Sequence, residues 1–124
     1  MKKLVILLVL AVLLCLTSFA MAELGTGKLY VGGKDIVAEG RTVAGGNGKA
    51  VLSYKDGNPV LTLTNYTYQG VGTAGNTIMY MEYEPLTIML EGENTLITMD
   101  QDGVCTGNNT NGPLVIDGTG SLKI

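Results

Sequence analysis

The chain has 124 residues, with 8 basic and 11 acidic side chains, a net charge of −3 and no histidine. Without histidine there can be no Ser-His-Asp triad, no Cys-His pair and no His-ligated metal. The acidic balance, with no cluster of Lys or Arg, speaks against nucleic acid and anionic membranes as partners.

The N-terminus reads as a targeting segment. Lys2 and Lys3 are followed by an apolar run, Leu4 to Leu16, and then by Ala20-Met21-Ala22, which supplies small residues for cleavage. The run is shorter than the roughly 20 residues that span a bilayer. A signal peptide over 1–22 is therefore expected, with no membrane span after its removal; an uncleaved anchor is the alternative. The mature chain then carries six basic and eleven acidic residues, and Cys105 as its one cysteine. An internal disulfide is excluded, so burial and hydrogen bonding must hold the fold.

From residue 23 on, helical periodicity is absent and period-two alternation is common. In "PVLTLTNYTY" (59–68), β-branched and aromatic residues alternate across two faces. Strands are expected near 28–31, 49–54, 60–67, 77–83, 86–90, 95–99, 114–116 and 121–124. Asp56-Gly57 is a hairpin signal, and "GGNG" (45–48) and "TGNNTNGP" (106–113) are loops. Pro59, Pro85 and Pro113 each stand at a strand start, where the missing N–H does least harm.

"PLTIMLEGENTLI" (85–97) is echoed by "PLVIDGTGSLKI" (113–124). Aligning Leu90-Glu91-Gly92 with Ile116-Asp117-Gly118 gives an offset of 26 residues. A period in the twenties with Gly/Asn turns predicts stacked coils whose aliphatic interiors merge. Val60, Leu61, Leu63, Leu86, Ile88, Leu90, Leu96, Leu114, Ile116 and Leu122 are the candidates for that core. The expected architecture is all-β, a short right-handed parallel β-helix with an N-terminal β-hairpin or cap region (23–58) and rungs over 59–124, incomplete at the C-terminus. The alternative is an antiparallel β-sandwich, which regular strand spacing also fits.

The successive stretches "KLYVGGKDIV", "AVLSYKDGNPVLTLTNYTYQG", "LTIMLEGENTLI" and "DGVCTGNNTNGPLVIDGTGSLKI" resemble secreted bacterial β-helix repeat proteins. Some proteins with similar rungs are described as calcium-dependent carbohydrate-binding modules of the cell surface. The resemblance implies a parallel β-helix and polysaccharide binding. Such proteins run on for more rungs, so the bare last coil here predicts a fragment or self-association through an open solenoid end.

The 26-residue frame places Glu39, Asn65, Glu91 and Asp117 in one column. Glu91 and Asp117 would be close enough to share Ca²⁺, though two solvated turn residues fit as well. Asp100 and Asp102 in "MDQDG" lack the later ligands of a calcium loop. Tyr66 and Tyr68, with Asn65 and Gln69 beside them, are the candidates for stacking and hydrogen bonding to a sugar; cross-strand packing is the plainer role for the rings. No catalyst is visible: Arg41 is the sole arginine, Cys105 has no base, and the acidic residues fall in turn-like contexts. Asn65-Tyr66-Thr67 and Asn108-Asn109-Thr110 match the N-glycosylation pattern. The expected function is a secreted or cell-surface, non-catalytic carbohydrate-binding module. The alternatives are a structural or adhesive surface repeat with no small ligand and, remotely, a partial polysaccharide-active enzyme.

Overall fold

Two tight turns set the architecture of the central sheet. Strand β4 (Gly48–Lys55) and strand β5 (Asn58–Thr64) are joined by Asp56 and Gly57, whose φ angles are 53° and 80°. Both central residues in the left-handed region make a turn whose twist matches antiparallel strands, as Asp-Gly predicts. Strand β3 (Thr42–Gly45) reverses into β4 through Gly46 and Asn47, of which Gly46 alone takes a positive φ, 61°, and Gly45 pairs with Gly48. The computed structural model describes residues 23–106 and 113–124. The expected signal peptide, the Asn108 sequon and most of the loop at 106–113 lie outside them.

The remaining strands are β1 (Leu29–Val31), β2 (Lys34–Asp35), β6 (Thr67–Gly70), β7 (Ile78–Tyr80), β8 (Leu86–Glu91), β9 (Glu93–Thr98), β10 (Val104–Cys105), β11 (Leu114–Gly118) and β12 (Ser121–Lys123). They form three sheets in the orders β10-β7-β1-β2, β11-β8-β5-β4-β3 and β12-β9-β6. The described residues contain no helix, and hence none long and apolar enough to cross a membrane. The single strand expected over 60–67 is broken by Asn65, which adopts φ 48° between β5 and β6. Strands β2, β3 and β10 escaped the sequence reading. They are short, and Gly or polar residues interrupt their alternation.

The expected parallel β-helix is corrected by this topology. Two of the sheets are mixed, since β3, β4 and β5 pair antiparallel, as does β1 with both β2 and β7, while β12-β9-β6 is parallel throughout. None of the three sheets is closed or solenoid-like, and the open, hairpin-built arrangement favours the β-sandwich alternative. The physical reason lies in the turns, since closing a two-residue loop costs far less chain entropy than winding through a coil. What the repeat encodes is parallel pairing at the C-terminal side of two sheets. Leu61 lies beside Ile88 and Ile88 beside Ile116, offsets of 27 and 28 rather than 26.

The core lies between the sheets. Leu29, Val31, Ile36, Leu61, Leu63, Ile78, Ile88 and Leu96 are fully buried. Three of the expected core residues behave otherwise. Val60 turns to the outer face beside Ser53 and Thr87, whereas Leu114 and Ile116 stay substantially exposed because β11 is a sheet edge.

Candidate functional site

Strand alternation decides what the central sheet shows to solvent. Leu52, Leu61, Leu63, Leu86, Ile88 and Leu90 point to the core, so their neighbours must point away. The strand registers line these up in rows across the outer face. Ser53, Val60, Thr87 and Val115 form one row, and Val51, Thr62, Met89 and Asp117 the next. Lys49, Thr64 and Glu91 form a third, in which the Thr64 hydroxyl donates to Glu91 Oε2 at 3.1 Å.

A shallow groove of about 520 Å³ follows the first two rows. Its floor is Val60, Thr87, Met89 and Val115; Lys55, Asp56 and Asp117 edge it. Tyr54 closes one side, and its hydroxyl accepts a hydrogen bond from Leu24 N at 3.0 Å. The Arg41 guanidinium stacks over the same ring, 5.4 Å from its centre, and is paired with Glu23. That pairing, through its hydrogen bond and its charge, raises the Arg41 pKa. The groove thus offers methyl groups, hydroxyls and three charges. The Ser53 hydroxyl is turned to the Val60 carbonyl rather than to a base.

The four residues expected to bind sugar do not make a platform. Tyr66 is wholly buried, pressed against Gly45, where any Cβ would strike its ring. Its hydroxyl finds no hydrogen-bond partner among the described residues. Burial, with Tyr68 nearby, pushes its pKa up to about 12. Tyr68 packs partly buried against the core, and its hydroxyl accepts from Gly72 N at 3.1 Å. Asn65 and Gln69 are exposed, but Asn65 Oδ1 accepts from Glu93 N at 3.1 Å and so serves the turn. The Asn65-Tyr66-Thr67 sequon accordingly has an exposed Asn with one side-chain oxygen already engaged.

The metal pair is also separated by the true register. Asp117 lies opposite Met89 and not opposite Glu91, and its carboxylate accepts from Gly118 N at 2.7 Å. Glu91 is held by Thr64. No group of three or more metal-ligating side chains occurs among the described residues.

One side chain that sequence reasoning missed organises the turns. Asn94 is 1% exposed; its Oδ1 accepts from Tyr66 N at 2.8 Å, and its Nδ2 donates to the Glu91 and Ser121 carbonyls, each at 3.2 Å. The signal was available, because Asn94 alternates with buried Leu96 in "ENTLIT" and so falls on the core face. Beside it, the turn column is Asn65 and Gly92, both at positive φ, with the Asn65 side chain lying where a Cβ on Gly92 would sit.

No protein-family model, curated protein or solved structure matches the chain.

Proposed function

We propose that the protein is a structural or adhesive surface module that binds no small ligand. The observation that carries this reading is strand β11. All five of its residues are exposed, Leu114, Val115 and Ile116 among them, and among the described residues it pairs on one side only. A free edge flanked by aliphatic side chains is suited to pairing with another protein. Sugar recognition has less support, since Tyr66 has no face to offer solvent and Tyr68 is part of the packing. Catalysis has no support either: the groove joins hydroxyls and scattered charges with no nucleophile set against a base. Export to the cell surface is part of the proposal and rests on the leader-like residues 1–22.

A glycan array probed with and without calcium tests the reading. Signal no higher than that of heat-denatured protein is the expected result. A saturable signal for any one glycan would overturn it and return the carbohydrate-binding module to first place.

A further inference from the structure

We propose that the partner of β11 is β11 of a second copy of this chain, antiparallel about a twofold axis at Ile116. The inference rests on the adhesive reading above and names the contact that would deliver it. Strand β8 occupies one side of β11, and no strand of the described residues occupies the other. Leu86 N donates to the Pro113 carbonyl, which fixes the alternation. Residues 113, 115 and 117 turn their backbone groups to β8, so those of Leu114, Ile116 and Gly118 face outward. An antiparallel copy centred on Ile116 sets these same three positions against each other: Ile116 opposite Ile116, Leu114 opposite Gly118.

That register is self-complementary in size and charge. The bulky Leu114 meets a residue without a side chain, and the half-exposed Ile116 side chains meet each other. Asp117 faces Val115 of the copy, so no carboxylate opposes another. The Gly118 N–H is already held by Asp117 Oδ1. The new ladder therefore consists of the reciprocal Ile116 bonds and a bond from each Leu114 N–H to the opposite Gly118 carbonyl. An isologous contact of this kind closes at the dimer. The other edge of the same sheet, β3, would give a head-to-tail array instead, but it presents Thr42, Ala44 and two-glycine turn geometry and no exposed large aliphatic residue.

Sedimentation of the full chain between about 1 and 100 µM, a range suited to small interfaces, tests the pairing. The apparent mass should double with concentration. I116K and I116E should each stay monomeric, because the axis sets the new charge against its own copy, and an equimolar mixture of the two should recover the dimer. Circular dichroism of both variants should match the parent, since residue 116 is exposed. As a second measurement, C15S/C105S/I116C should oxidise to a covalent dimer, because Cα atoms in such an antiparallel pair lie about 5.5 Å apart. A parent chain that stays monomeric, association indifferent to both charges, or growth beyond the dimer would each overturn the inference. None of these bears on the glycan array, so the two ideas fail separately.

Discussion

Tyr66 concentrates the chemistry of single residues in this protein. Its ring fills the core against Gly45, yet its hydroxyl is buried without a partner. A phenol in that state has lost its water and gained nothing, so Tyr66→Phe should leave thermal stability unchanged or raise it by about 1 kcal/mol. Gly45→Ala should do the reverse, costing about 3 kcal/mol in a denaturant titration, because the added methyl strikes both the ring and the Thr67 carbonyl. The same burial makes the fold sensitive to alkali. The neutral phenol is the form that the folded state prefers, its pKa standing at about 12 against an ordinary 10. Its contribution is intact below about pH 10 and drains away as pH climbs through 12, by up to about 3 kcal/mol. Tyr80, whose hydroxyl donates to the Glu84 carbonyl, is also raised, first by burial and then by Glu84 and Glu82, and adds to the same alkaline loss. Unfolding free energy measured from pH 8 to 11.5 should fall steadily above 10, and less steeply in Tyr66→Phe. This is the scale at which the sequence misled most. Tyr66 stands in the break between β5 and β6 and Tyr68 within β6, and alternation alone does not say which ring is covered. That depends on residues such as Gly45, far off in the chain, which leave the room for a ring.

Among the elements, the turns between paired strands matter more than the strands themselves. Asn94 ties three of them, joining the Tyr66 amide to the Glu91 and Ser121 carbonyls from a fully buried position. Asn94→Ala leaves those backbone groups unsatisfied in the interior and should lower stability by about 3 kcal/mol, read as a shift in the urea midpoint with unchanged slope. Asn94→Asp keeps the acceptor for Tyr66 N but loses both donated bonds, and should be nearly as damaging at neutral pH. The echo between residues 85–97 and 113–124 misleads at this scale. Matching Glu91-Gly92 to Asp117-Gly118 gives 26, whereas the strands align at 27 and 28, with Gly92 following Asn65 in the turn column. Short Glu-Gly and Asp-Gly pairs look alike in sequence, but backbone conformation distinguishes them. Gly92 at φ 70° continues the left-handed position held by Asn65 at 48°, and Gly118 at φ 106° is still within β11. The shift dissolves the carboxylate column, and calcium at about 1 mM should therefore leave the melting temperature unchanged within about 1 °C; a rise of several degrees would mean a site built from other oxygens.

For the whole molecule, the sequence disclosed the class and the punctuation but not the course of the chain. All-β content, the Asp56-Gly57 hairpin and the strand-leading prolines follow from local rules, whereas the further reversals at β1–β2 and β3–β4 involve the short strands β2 and β3, which carry little pattern. The antiparallel β3–β4–β5 ribbon gives one sheet a hairpin-built side, and the parallel β5–β8–β11 side ends in an edge unpaired among the described residues. That edge is thin protection for what lies beneath it. Strand β11 covers Leu86, Ile88 and Leu90, which are at most 6% exposed, while itself remaining open to solvent. Removing residues 113–124 would uncover all three, at about 2 kcal/mol for each aliphatic side chain returned to water. The sum, about 6 kcal/mol, equals much of what holds a domain of this size together. Such a truncated chain should lose its cooperative thermal transition and bind a hydrophobic dye. I116K, which changes the edge without removing the cover, should still melt in one cooperative transition. If the truncated chain instead melts sharply near the parental temperature, β11 is an appendage, and the cover over Ile88 must come from elsewhere.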